Sequence, residues 1–309
     1  MFGSQVLEIA IGLIFIYLLL SLFASAINEM IASLFSLRGK NLISALKIML
    51  ENSDWVDKFY DDLHIKKLSI RPIMNKVGLK TPPSFISKET FSKTFLRLLK
   101  TGEQVESAIP SLKKGIEENF NHDSLKILKD FVEEAGENIE EFQQKLEDWY
   151  DEMMRQATEW YRSKVRFILF VVGVIIAISV NANTIQIVKK LSINPETRQA
   201  LVNAAEQLHA QGKENVLPPE NDNRDFKEKI DDLSAKANQV LELTSTYSVL
   251  GIGWGEENVG KIKNIWDVLF LAAGWLITAF AISLGAPFWY DMLGRVVSIR
   301  SAAKTKSGS

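Results

Sequence analysis

Between Asn138 and about Lys190 the pattern of apolar and polar residues changes character halfway along. In the first half, NIEEFQQKLEDWYDEMMRQATEWYRSKVR, Ile139, Leu146, Met153 and Trp160 recur every seven residues, with Phe142 and Trp149 between them as a second seam. The second half, FILFVVGVIIAISV, carries no charge. Asn138 is placed to cap the start, and Glu141 completes a capping box. No Pro or turn signal intervenes before Pro195. The pattern predicts one continuous helix, roughly 75 Å long at the helical rise, that starts as a water-soluble stalk and ends across a bilayer. Trp149 and Trp160 are eleven residues apart and share a face, which is predicted to pack on the helices of residues 42–135.

Two further runs are apolar enough to cross a membrane, which takes about twenty residues. The first covers Ile9 to about Ile27 and continues to Leu37. Ala24-Ser25-Ala26 resembles a signal-peptide cleavage site, but the preceding residues lack Lys and Arg, carry Glu8, and lead into an apolar pattern that continues past the site. The reading is therefore a retained helix. The third run covers Ile265 to Ala286.

Basic residues set the expected sidedness. Arg38 and Lys40 follow the first run, Arg162, Lys164 and Arg166 precede the second, and Arg295, Arg300, Lys304 and Lys306 follow the third. These clusters place the N-terminus outside and the C-terminus in the cytoplasm; Lys189, Lys190, Lys261 and Lys263 argue for the inverted arrangement. The expected architecture is an all-α integral membrane protein with three transmembrane helices. Residues 1–37 are the first, 38–165 a cytoplasmic helical domain with its stalk from 138, and 166–188 the second. Residues 189–263 are a smaller periplasmic helical domain, 264–287 the third transmembrane helix, and 288–309 an interfacial helix with a cytoplasmic tail.

Within the cytoplasmic segment, helices are predicted over Leu42–Glu51, from Trp55 through Leu63, over 88–100 after a Ser87 cap, and over Ser124–Ala135 before Gly136. Pro82-Pro83 stiffen the intervening loop. Residues 38–100 hold thirteen basic and six acidic residues, whereas 101–161 hold six basic and sixteen acidic. Either the two halves neutralise each other, or Lys66, Lys67, Arg71, Lys76 and Lys80 face anionic headgroups. In the outer segment, Asn194-Pro195 opens a helix ending at Gly212, 215–224 is a polar linker, and a second helix covers about 225–243.

Composition excludes more chemistry than it suggests. There is no cysteine, and His64, His122 and His209 lie far apart. GIGWG at 251–255 lacks the lysine and the preceding strand of a phosphate loop. Glu147 and Asp151 lie at i,i+4 on a helix face that reads as solvated. No nucleophile–base pair, metal cluster, cofactor site or nucleic-acid-binding pattern emerges, so the expectation is a non-enzyme without cofactors.

Polar residues inside the apolar runs are the remaining candidates. Asn28 and Glu29 lie towards the inner end of the first run, where Glu29 can pair with Arg166 or Lys164. Asn181, Asn183 and Thr184 are placed near the depth of Glu8 and Asp267. Ala281 with Gly285, and Gly274 with Thr278, form small-xxx-small pairs that permit close helix approach, either in a homo-oligomer or against Gly173. Trp254, Trp289 and Tyr290 are expected at the membrane interfaces, with Met292–Ile299 as a surface helix.

The segments RGKNL (38–42), PSFIS (83–87), EDWYDEMMRQATEWYR (147–162), NANT (181–184) and GAPFWYD (285–291) occur in this order. With them the chain resembles an uncharacterised family of bacterial inner-membrane proteins marked by a WYD…WYR stalk and a C-terminal GAPFW(Y/F)D motif. Asn183 stands where that pattern has an aspartate. The resemblance implies a bacterial inner-membrane location and supplies no activity, cofactor or partner. The functional expectation is a membrane-anchored scaffold or assembly protein, homo-oligomeric and open to further protein partners. The alternative is a subunit of an oligomeric channel or transporter.

Overall fold

The computed structural model describes residues 2–68, 82–99, 108–217, 252–254 and 264–307. Among the described residues there are thirteen helices and no strand. They are α1 (Phe2–Leu34), α2 (Leu37–Leu50), α3 (Ser53–Asp61), α4 (Leu63–Leu68), α5 (Lys88–Leu99), α6 (Ala108–Asn119) and α7 (His122–Ala135). Then follow α8 (Ile139–Ser179), α9 (Thr184–Ile193), α10 (Pro195–Ala210), α11 (Lys213–Val216), α12 (Ile265–Ser283) and α13 (Ala286–Ser307). The helix expected over 225–243, most of the linker before it, and Arg71, Lys76 and Lys80 lie outside the described residues. Lys66 pairs with Asp61.

The chain divides into two units, one of residues 32–163 and the other of 1–31 with 164–309. In the first, short amphipathic helices close around an aromatic core. Trp55 contacts Phe59, Phe95 and Phe120, and Phe91 stacks on Tyr150 at 4.4 Å. The Tyr150 hydroxyl donates to the Ile86 carbonyl at 2.7 Å. Burial pushes that hydroxyl above its ordinary range, so it stays a donor at physiological pH. Local caps set the helix starts: Asn52 Oδ1 accepts from Trp55 N–H, Ser87 Oγ from Thr90 N–H, and Asn138 Oδ1 from Glu140 and Glu141 N–H. Asn41 Nδ2 donates to the Ala157 carbonyl, tying α2 to α8.

The strict heptad does not describe the buried face of α8. Phe142, Leu146, Tyr150 and Ala157 are enclosed there, while Ile139, Trp149 and Met153 are partly covered. A straight helix with 3.6 residues per turn drifts away from a seven-residue stripe, and Trp160 ends up 38% exposed. Trp160→Ala is therefore expected to cost less than about 1.5 kcal/mol, a surface-type effect, rather than a core-cavity penalty. Denaturant titration of the full chain in detergent measures it. Glu147, expected on a solvated face, is instead buried and accepts from Ser92 Oγ and Gln143 Nε2. Asp151 stays exposed and pairs with Lys88.

In the second unit, α1 and α12 are each long and apolar enough to cross a membrane, and α8 with α9 makes a third such segment if counted as one span. That third segment is not one continuous helix to Lys190. It breaks after Ser179, and α9 continues at a bend of 55°. One apolar cluster joins Ala24 of α1 with Leu169, Val172 and Ile176 of α8 and Ile282 of α12. A larger one joins Ile11, Phe15 and Leu18 of α1 with Ile187 and Leu191 of α9, Leu201 and Val202 of α10, and Tyr290 and Leu293 of α13.

The last helix folds back at Gly285, and Arg300 meets Glu8 at 3.4 Å. Gly285 belongs to this turn rather than to a helical face, with φ of 84°. A Cβ there would meet nothing nearer than Pro287 Cδ at 3.7 Å. The cost of Gly285→Ala is then conformational, about 1–2 kcal/mol for an L residue held in the left-handed region. Gly285→Asn is expected to lose less than Gly285→Ala in the same thermal melt, because Asn visits that region more readily.

Candidate functional site at a helix break

The sequence Asn181-Ala182-Asn183-Thr184 contains both an end and a start. Ala182 N–H reaches the Ala177 carbonyl at 2.8 Å and Asn181 N–H the Ile178 carbonyl at 3.1 Å. This is the Schellman pattern, with Asn181 as its left-handed residue at φ of 48°. Two residues on, Asn183 Oδ1 accepts from Gln186 N–H at 3.1 Å and caps α9. The paired Asn residues are the turn signal that an uncharged run conceals.

A break inside an apolar segment frees backbone groups that lipid cannot satisfy, and neighbouring side chains take them up. The Trp254 indole N–H reaches the Ile178 and Ser179 carbonyls at 3.0 and 3.1 Å. Gly253 N–H donates to the Val180 carbonyl, and Asn181 Nδ2 returns a bond to the Gly253 carbonyl. Trp275 Nε1 donates to Asn181 Oδ1 at 3.0 Å, and Asn183 Nδ2 to the Leu271 carbonyl at 2.9 Å. Thr278 Oγ1 lies 2.7 Å from the Ala182 carbonyl, 2.9 Å from that of Gly274 and 2.8 Å from Thr184 Oγ1, which is itself 2.8 Å from the Tyr17 hydroxyl. Each hydroxyl has one proton, so the chain runs in one direction: Tyr17 to Thr184, Thr184 to Thr278, and Thr278 to one carbonyl. No carboxylate, imidazole or cation takes part in these bonds. The arrangement fixes helices and offers no acid–base pair.

Close approach makes these bonds possible. A Cβ on Gly274 would overlap the Asn183 carboxamide, and one on Gly173 would press the Ala279 backbone at 3.1 Å. The small residues of α12 thus face α8 and α9 of the same chain. Ala281 is buried, and its carbonyl accepts from Trp289 Nε1 at 2.6 Å.

Trp289 and Tyr290 both make contacts within the chain. Trp289 packs on Tyr17 at 4.7 Å, and the buried Tyr290 donates to the His209 carbonyl. Trp254 keeps a half-exposed ring against Trp275 at 5.6 Å. Asp267 serves the start of α12, where its carboxylate accepts from Asn264 N–H at 3.1 Å. Asn28 is buried, Glu29 is half-buried and Arg166 is exposed. Thr184 lies against Tyr17, near the middle of α1, while Asn183 bonds to the Leu271 carbonyl of α12.

A second polar cluster is absent from the sequence reading. Glu8 of α1 pairs with Arg198 of α10 at 3.2 Å and with Arg300 of α13, which also binds Glu206. Arg198 Nη1 donates to the Leu191 carbonyl as well. Arg300 is 7% exposed, and two anions against two cations leave the cluster neutral, as buried charge requires. The signal for Arg198 was its place on one helical face with Leu201, Val202 and Ala205. Among the described residues no group of three or more His, Cys, Asp or Glu could hold a metal.

Comparison of the chain with family models, curated proteins and solved structures returns no match.

Proposed function

We propose that this chain is a membrane-anchored scaffold of a bacterial inner membrane, without catalytic activity or cofactor, that couples a helical cytoplasmic unit to the bilayer and assembles with further copies of itself. The observation that carries this reading is helix α8. Its first part supplies Phe142, Leu146 and Tyr150 to the core of the 32–163 unit, and its last part leaves Phe167, Val171, Ile175 and Ile178 exposed. Exposed apolar side chains in such a band suit lipid tails. Ile265, Trp266, Leu269 and Phe270 extend the band on α12, which offers surface to lipid and to another copy. The basic residues Arg38, Lys40, Arg162, Lys164 and Arg166 favour the cytoplasm for the unit they flank and the outside for Met1. Protein partners would dock on that unit; nothing in the sequence suits nucleic acid.

The helix break favours one other reading, a subunit of a channel or transporter, since discontinuous helices line many transport sites. Reconstitution separates the two. The full chain in sealed proteoliposomes is expected to carry no ion flux above protein-free vesicles, while single cysteines at Leu269 and Leu276 crosslink copies in membranes. Flux that disappears in Thr278→Val would replace the scaffold with a transporter.

A further inference from the structure

We infer that α12 and α13 form a re-entrant hairpin, entering the bilayer from the face that holds the start of α1, turning at Gly285 and leaving by that same face. The inference rests on the reading that the apolar band lies in a bilayer.

Helix α1 serves as a ruler. Going from its end to its start, Ala24 shares a cluster with Leu169, Val172 and Ile176, and Tyr17 bonds to Thr184. Gly12 faces Leu191 and Leu201, and Glu8 meets Arg198. Helix α12 is read on the same scale. Thr278 joins Thr184 at the level of Tyr17, and the Ile282 carbonyl lies 3.5 Å from Ser21 Oγ. As numbers rise on α12 they rise on α1, so α12 comes from the Glu8 side. It stops opposite Ser21, while the apolar span of α1 runs on to Ala32. Those eleven residues amount to about 16 Å, a depth that α12 never enters.

Helix α13 then retraces the ruler in reverse. Trp289 packs on Tyr17, and Arg300 reaches Glu8. Between them Tyr290 and Lys213–Asp291 hold α13 to the chain around α10. Both legs of the hairpin therefore lie on the Glu8 side of Ser21. Three apolar segments then give only two complete crossings, by α1 and by α8 with α9. The start of α1, the α10 region and the end of α13 share one face.

The chain has no cysteine, so single cysteines report their side without background. Ala302→Cys, Glu196→Cys and Ser163→Cys, all at exposed positions, are to be treated with a membrane-impermeant maleimide in sealed right-side-out and inverted vesicles. Ala302→Cys and Glu196→Cys are expected to react in the same vesicle orientation and Ser163→Cys only in the other. Reaction of Ala302→Cys together with Ser163→Cys, while Glu196→Cys reacts oppositely, overturns the hairpin and leaves the bilayer reading intact. Reaction of all three in both orientations overturns the bilayer reading and the hairpin with it. Ser298→Cys, one turn earlier on α13, repeats the measurement should Ala302→Cys fail to accumulate.

Discussion

Gly274→Leu is expected to prevent the protein from accumulating in folded form in the membrane. The added side chain would take the place of the Asn183 carboxamide, so Asn183 loses both its bond to the Leu271 carbonyl and its cap on Gln186. Overpacking costs about 1–3 kcal/mol, and each interhelical hydrogen bond lost in lipid adds about 0.6–2 kcal/mol. Together these reach several kcal/mol, comparable with the whole stability of many domains. Val268→Leu, also on α12 but on its exposed side, is expected to behave as the parent. Yield and elution profile in mild detergent compare the two. A Gly274→Leu protein with the parent's profile and melting point would show that α12 does not press on the break.

Phe91→Ala is expected to destabilise the 32–163 unit by about 3–5 kcal/mol, the range for a buried aromatic replaced by alanine. Phe91 has no exposed surface and touches Phe59, Phe95 and Tyr150. Its removal opens a hole where four rings meet. Phe85→Ala is the control: that ring is 74% exposed, and its loss should fall within about 0.5 kcal/mol. Guanidinium unfolding of the full chain in detergent, followed through the buried Trp55, measures both. Equal midpoints for the two variants would place the core elsewhere.

Periodicity made the helical class legible, and cap residues such as Asn138, Ser87 and Gly136 fixed several boundaries. Both signals are local, carried within about one turn. The break at Asn181 escaped because its signal is two Asn residues in an uncharged run, and apolar flanks favour a continuous helix just as strongly. Asn181, Asn183 and Gly274 stood out by residue type, yet what they do depends on where α12 lies, which no spacing in the chain encodes. Gly285 was mistaken for a packing residue for the same reason. A small residue reads alike on a helical face and in a turn until the turn is seen. Arg198 and Arg300 pair with Glu8, and Glu206 joins through Arg300; no local spacing announces a cluster that links residues up to 292 positions apart.

That separation has a consequence for how the chain is made. The first half of α1 is enclosed, with Ile11, Phe15 and Leu18 among its hidden side chains, and α13 provides one of the enclosing walls. During synthesis that wall does not yet exist. The opening segment must wait, bare on one side and with Glu8 lacking its Arg300 partner, until nearly the whole chain has followed it out of the ribosome. Closing so long a loop is slow compared with local helix pairing. The bilayer, by sheltering the waiting helix, acts as its temporary partner until α13 arrives to take that place.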